Sequence, residues 1–324
     1  MKLTFVNVGY GEAMVLECPD STCRDGVFVM VIDGGGNKPA EFAHSDSGRI
    51  PFAEYVRRSG LDHIDVMVST HIHEDHICGL LPVTETLLPD QLWQILPPDA
   101  AKAMRPLDLG LACTPSNDLF LLALNAQLEL LERMEKAGRP VLALQKGASG
   151  TLCDGLTYRV LAPSAQSVEA LEQGIRRLYT LDGEEFYAQL NALDGAMNNR
   201  SLMLLLDYKG TRILLPGDTN SLGYGGLTAA DVQAHLFKVG HHGQKDGVDD
   251  ALLAMIRPEK VVCCASSDRR YNSAHGDAMS MVQRSGATLW FSDCPPVDGA
   301  TAPPHSALTF TVEPRGSVSA QYIE

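Results

Sequence analysis

The chain has 324 residues, with 26 Lys and Arg against 40 Asp and Glu and a formal net charge of −14. With 45% hydrophobic and 20% charged residues the composition is that of a globular protein, which excludes disorder, collagen and coiled coil. The length holds one large domain or two ordinary ones. The acidic balance argues against sequence-independent binding to nucleic acid or to an anionic membrane, because both draw their affinity from Lys and Arg.

No apolar run approaches the roughly 20 residues that span a bilayer. The opening MKLTFVNVGYGEAMVLE reads as strand and turn rather than as a signal peptide. Eight cysteines, at 18, 23, 78, 113, 153, 263, 264 and 294, form no CxxC pair and no dense framework. They read as buried thiols in a reducing compartment, with Cys18 and Cys23 the one pair considered for a bridge or half a metal site. The expected setting is the cytoplasm, with no membrane partner.

In chain order, Leu3, Phe5, Ala13 and Val15 alternate around Gly9-Tyr10-Gly11, which predicts two strands and a glycine turn. VFVMVID (27–33) predicts a buried strand that delivers Asp33 to Gly34-Gly35-Gly36. Pro51 opens a short helix to about Arg58, Gly60 ends it, and IDVMVST (64–70) is a second buried strand running into THIHEDH. Residues 116–138 carry the clearest helix: Ser116 or Asn117 caps it, Leu121, Leu124, Leu128 and Leu131 share a face, and Gly138 and Pro140 stop it. A second helical stretch covers about 165–192, and strands are expected at 157–163, 201–207 and 212–218. The final third alternates strand (236–240), helix (248–256), strand (260–265), helix (275–285) and strand (288–292), and strands near 306–312 and 317–322 close the chain. No repeat, low-complexity tract or linker divides it. One domain over 1–324 is expected, with an elaborated, mostly helical segment at about 85–195.

His71, His73, Asp75 and His76 fall within six residues at the C-terminal end of a buried strand. Imidazole nitrogen and carboxylate oxygen are the ligands that borderline divalent ions such as zinc prefer. In an extended segment His71 and His73 project to one side, while Asp75 and His76, at the start of the next helix, address an adjacent point. One segment would thus serve two metals. Three of only 10 histidines crowd into this stretch, which a merely polar loop does not explain.

THIHEDHICGL resembles the HxHxDH signature of the metallo-β-lactamase superfamily. VNVGYGEAMVL, VIDGG (31–35), NNRSLMLLLDYKGTRILLPGD (198–218), LFKVGHHG (236–243) and YNSAHGDAM (271–279) resemble one branch of it. That branch is the soluble hydrolase domain of ComEC DNA-uptake proteins and its free-standing relatives, which include phosphorylcholine esterases. The resemblance implies an α/β (α+β) fold, the four-layer αββα sandwich. It also implies that His71 and His73 bind a first metal, Asp75 and His76 a second, that Asp218 bridges both and that His241 completes the second site. His242 is the alternative to His241 and otherwise a substrate contact. Where many members carry a further His before the bridging Asp, this branch has Asn, matched by Asn198 and Asn199, and this chain has no His between His76 and His235. The first metal would then have fewer protein ligands. The chain departs from the branch at Tyr10 and Glu12, which replace Gln and Asp, at His275-Gly276, which replaces His-Pro, and in the long stretch from His76 to Asn198. These differences fall where a substrate would be selected.

Asp33 reads either as a partner of a metal-bound His or as a loop cap. Gly34-Gly35-Gly36 lacks the Lys-Ser/Thr of a P-loop and the full dinucleotide fingerprint, and reads as close packing beneath the site. His275 is a proton donor or substrate contact, or a plain helix-start His, and Tyr271 is a further substrate-contact candidate with Asn198 and Asn199. His44, His63, His235 and His305 have no partners in sequence. The Leu-rich helix over 119–134 is a packing element or a lid. Arg176-Arg177 and Arg269-Arg270 are too short for nucleic-acid patches.

Two divalent ions, zinc first and manganese or iron as alternatives, would hold a bridging hydroxide at about 3.5–4 Å separation and lower the pKa of water from about 15.7 towards 7. They would also neutralise the charge that develops on the attacked group. The expected activity is hydrolysis of a phosphate ester, a small phosphodiester rather than DNA, with Asp75, Asp218 and His275 in catalytic roles. One rival is a lactone, thioester or β-lactam hydrolase on the same metals. Another is a non-catalytic metal-binding regulatory module. A redox di-iron enzyme fits less well, since such members of the superfamily carry Glu where His73 stands.

Overall fold

The structure, a computed structural model, describes residues 1–43, 46–109 and 114–324; His44 and Cys113 lie outside them. The described strands are β1 (Lys2–Val6), β2 (Ala13–Pro19), β3 (Val27–Gly34), β4 (Val66–Val68), β5 (Gln91–Gln94), β6 (Val141–Ala143), β7 (Ser149–Cys153), β8 (Leu156–Ala162), β9 (Met203–Tyr208), β10 (Thr211–Leu215), β11 (Leu236–Lys238), β12 (Lys260–Cys263), β13 (Thr288–Phe291), β14 (Ala307–Val312) and β15 (Val318–Ile323). They form an eight-stranded sheet in the order β15-β14-β1-β2-β3-β4-β5-β6 and a seven-stranded sheet in the order β13-β12-β11-β10-β9-β8-β7. Each sheet changes from antiparallel to parallel pairing partway across, at β3 and β4 in the first and at β10 and β11 in the second.

Alternation along the strands stacks the layers. Leu204 and Leu206 of β9 share one buried cluster with Phe5, Leu16, Met30 and Val68 of the first sheet. Met203 and Leu205, pointing the other way, share a second with Leu252 and Ile256 of the helix Asp250–Ile256 and with Met279 and Val282 of the helix Gly276–Arg284. The sheets therefore pack face to face with helices outside, a four-layer αββα sandwich as the resemblance implies.

Two stretches differ from the sequence expectation. The helical region from 165 divides into Ala165–Leu178 and Gly183–Gly195, the second entered through an extended Asp182. The segment at about 85–195 is also less helical than expected, because β5 and β6 extend the first sheet while β7 and β8 complete the second. QLWQ, VLA and SGTLC are too short to display a period, so only β8 of these four was legible. The long helix runs Pro115–Lys136, close to the expected 116–138, but its cap is Thr114, whose side chain accepts from Asn117 N, and Ser116 and Asn117 lie within its first turn. No described helix is long and apolar enough to cross a membrane. The seven described cysteines are free thiols, and Cys18 lies against Cys153 rather than bridged to Cys23.

Candidate metal centre

The loops that leave the C-terminal ends of β3, β4, β10 and β11 meet at one edge of the sandwich. Asp33, next to last in β3, has a left-handed backbone (φ +54°) and a fully buried carboxylate. It accepts from Thr70 N at 2.8 Å, Thr70 Oγ1 at 2.6 Å and His76 Nδ1 at 2.8 Å, so it orients a histidine as well as closing the loop. The glycines beside it are there for close approach: a Cβ on Gly79 would lie 1.9 Å from Gly34 O, and one on Gly11 would lie 2.3 Å from Asp75 O. That packing pins the short helix Glu74–Ile77, which carries Asp75 and His76.

Hydrogen bonds fix which nitrogen of each imidazole carries the proton. Thr70 Oγ1 already donates to Asp33, so it accepts from His71 Nδ1 at 3.0 Å and leaves His71 Nε2 bare. Burial, reinforced by neighbouring His76 and His73, holds the His71 pKa well below the usual histidine value, which keeps the ring neutral. His76 Nδ1 donates to Asp33, and His242 Nδ1 donates to the carbonyl of Cys264 at 2.9 Å. Their Nε2 atoms are buried and not aligned for any hydrogen bond. Even so, His76 Nε2 lies 3.3 Å from Asp218 Oδ2, and His242 Nε2 lies 3.0 Å from both Asp218 Oδ2 and Asp75 Oδ2. Tetrahedral ligands about 2.1 Å from a zinc ion stand about 3.4 Å from one another. Buried imidazole nitrogens and carboxylate oxygens converging at this spacing fit a divalent cation. Burial opposes charge at all four groups, yet Asp218 and Asp75 outweigh it and hold the His76 and His242 pKa values above the usual histidine value. The two imidazoles in turn hold both carboxyls below the usual range, so a bound cation would take the place of the imidazole protons.

The structure reverses the expected order at the adjacent histidines. Gly240 leaves β11 extended, and His241 and His242 then both take left-handed conformations (φ +48° and +49°). This turn carries the second side chain inward and the first outward. His242 joins Asp75, His76 and Asp218, whereas His241 donates from Nδ1 to Asp246 at 2.9 Å and takes a hydrogen bond on Nε2 from Asn198 at 3.0 Å. His241, expected as a ligand, is thus fully engaged at the rim, and His242, expected as a substrate contact, lies within the cluster.

His71 and His73 form the other half. His71 Nε2 faces His73 Nδ1 at 3.1 Å, and His73 Nε2 is 3.1 Å from the carboxylate of Asp194 on the helix Gly183–Gly195. A cleft of about 290 Å³ opens over both halves. Among the described residues its lining includes Asp75, Asp218, Asn198, Tyr10, Tyr271, Phe120 and Glu74 but no Lys or Arg. Asn198 Oδ1 is buried there without a hydrogen-bond partner. Asn199 is turned elsewhere and accepts from Asn220 N at 3.1 Å. His275 is not in the lining; it caps the helix Gly276–Arg284 by accepting from Asp277 N at 3.2 Å.

Three contributors escaped the sequence reading. Glu12 figured there only as a departure from the branch, but its carboxylate lies within 4.8 Å of ligand atoms of His76, Asp218 and His242. Lys238, last in β11 and fully buried, contacts Glu12, donates to Gly217 O at 2.8 Å and lies 3.4 Å from Asp218 Oδ1. It leaves Asp218 Oδ2 to the histidines. The motif LFKVGHHG contained Lys238, but a single polar residue ending an apolar strand gives no sign of facing inward. Asp194 is the third.

No family model matches the chain. Among curated proteins it is similar to ComE operon protein 3 of Bacillus subtilis (strain 168), 21% identical over 295 residues that make up 87% of this chain. The chain spans about 30% of the length of that relative. Among solved structures it is similar to a mutant of CmlA β-hydroxylase, 12% identical, covering 96% of this chain and 54% of that one with a TM-score of 0.51. It is also similar to Zn(2+)-bound PqqB from Methylobacterium extorquens, 11% identical, covering 93% of this chain and 99% of that one with a TM-score of 0.48. The likeness to the β-hydroxylase is one of fold.

Proposed function

We propose that this chain is a ComEC-like member of the metallo-β-lactamase superfamily, a hydrolase that binds two divalent cations, zinc first, and cleaves a small phosphodiester. The supporting observation is the set of inward-facing imidazole nitrogens, each oriented by a hydrogen bond on the ring's other nitrogen and each aimed at a neighbouring ligand atom. His76, His242, Asp75 and Asp218 would hold one ion and His71 and His73 the other, with Asp218 between them. A divalent ion bound there supplies Lewis acidity, polarising a phosphoryl oxygen and lowering the pKa of water towards 7.

The chain's own residues do the rest. Asp33, Thr70 and the Cys264 carbonyl keep three imidazoles in the tautomer whose lone pair faces the centre. Lys238 engages Asp218 Oδ1, so Oδ2 is presented towards His76 and His242. Tyr10 and Tyr271, with ring centroids 5.0 Å apart, wall one side of the cleft and offer an aromatic surface to a substituent of the ester. With no Lys or Arg in the described lining, a polyanion would find no cation beyond the metals, which favours a single phosphodiester over DNA. The free thiols suit a reducing compartment such as the cytoplasm.

The test is a panel of chromogenic phosphodiesters, phosphomonoesters, lactones and β-lactams, assayed with the zinc and manganese forms. Phosphodiesters are expected to turn over fastest, and Asp218→Ala is expected to lose both turnover and bound metal. Turnover confined to lactones or β-lactams would overturn the substrate class. Wild-type metal content in Asp218→Ala would overturn the ligand assignment.

A further inference from the structure

The helix Gly183–Gly195 lies more than a hundred residues beyond the HxHxDH segment, yet it ends on the metal centre. Asp194 Oδ1 accepts from His73 Nε2 at 3.1 Å, and its Oδ2 accepts from Ser116 Oγ, at the start of the long helix Pro115–Lys136, at 3.1 Å. Phe120 of that long helix meets the same His73 ring edge-on, with centroids 5.9 Å apart. The two helices are joined beside it by a hydrogen bond from Asn117 Nδ2 to Asn191 Oδ1 at 2.6 Å. The His73 ring is thus held by the helices of the elaborated segment. An aspartate in the last turn of a helix also opposes the macrodipole, so its place there calls for a compensating interaction.

We propose that Asp194 is the positioning residue of the outer metal site. By accepting from Nε2 it fixes the His73 tautomer with Nδ1 bare, 3.1 Å from His71 Nε2, so that this pair can take a divalent cation without a third histidine. The proposal rests on the two-ion reading given above. It makes the helical segment part of the metal centre, and it makes the affinity of the outer ion, unlike that of the inner one, depend on a residue outside the motif.

Two measurements test this. In the first, metal-free protein is titrated with zinc against a chromogenic chelator, and bound ions are counted by elemental analysis. Wild type is expected to bind two ions. Asp194→Ala is expected to keep the inner ion at unchanged affinity and to lose about 10–100-fold in affinity for the outer one. Asp194→Asn, whose Oδ1 still accepts from Nε2, falls between and serves if the alanine variant does not fold. In the second, nitrogen NMR of the metal-free protein reads the tautomer: wild-type His73 is protonated on Nε2, and Asp194→Ala shows a mixture. Unchanged affinities with an unchanged tautomer would overturn the proposal. If wild type binds fewer than two ions the two-ion reading fails, and the tautomer still decides the role of Asp194.

Discussion

His76 and His242 are enclosed, and the groups that fix their Nδ1 protons, Asp33 and the Cys264 carbonyl, belong to or directly follow strands of the two sheets. His73 is partly exposed at the cleft, and its outer nitrogen meets Asp194 on the helix Gly183–Gly195, outside both sheets. The inner half of the centre is therefore specified by the same close packing that makes the fold. On the two-ion reading the outer half depends on a helix outside both sheets, where change is better tolerated than within them. On that reading, metal affinity at the outer half is the property that a change in the helix Gly183–Gly195 would tune separately from the inner half.

The largest effect should come from breaking the inner half at the histidine pair. His242→Ala removes a bare nitrogen from between Asp75 and Asp218 and should weaken the inner ion by more than about 100-fold, the upper end of what outer partners cost, with turnover lost alongside. His241→Ala, which removes only contacts to Asp246 and Asn198, should change the affinity by less than tenfold, a ~1 kcal/mol effect. Isothermal titration of the two metal-free variants with zinc decides it, and the reverse ranking would return the ligand role to His241.

Asp33 sharpens the contrast because it reaches both halves: His76 directly, and His71 through Thr70. Asp33→Asn puts an NH2 among three donors, so it should cost about 1–3 kcal/mol of stability for a buried group left unsatisfied. It should also weaken both ions by about 10–100-fold, where Asp194→Ala weakens one. Chemical denaturation of the metal-free protein gives the first quantity and zinc titration the second. A variant that weakens only the inner ion would show that Thr70 orients His71 without help from Asp33.

These contrasts follow what was legible in the sequence. The inner half announced itself, because buried runs such as IDVMVST and RILLP mark strands, and HxHxDH and Gly217-Asp218 stand at their ends. The choice between His241 and His242 was hidden in two successive left-handed residues, a backbone feature with no side-chain signature. Asp194 was hidden for another reason. LNALDGAMNN reads as the end of a helix, and only the tertiary approach of that helix to His73, 121 residues away, gives the carboxylate a partner. The β5, β6 and β7 strands shared that fate, being short pieces recruited to sheets by pairing rather than by pattern.

The smallest effect is expected at His275, and it sets the boundary of the centre. A general acid contributes about 10²–10⁴-fold to a rate, so its removal is conspicuous. His275 instead receives the Asp277 N–H on Nδ1 at the start of a helix, outside the cleft lining. His275→Ala should therefore lower stability by about 0.5–1 kcal/mol, as loss of a helix cap does, and leave kcat/KM within about threefold of wild type. Thermal unfolding and steady-state kinetics on the same preparation separate the two outcomes. A fall of 100-fold or more in kcat/KM at unchanged metal content would bring His275 into the catalytic machinery and make the start of the helix that follows β12 the source of a proton for the leaving group.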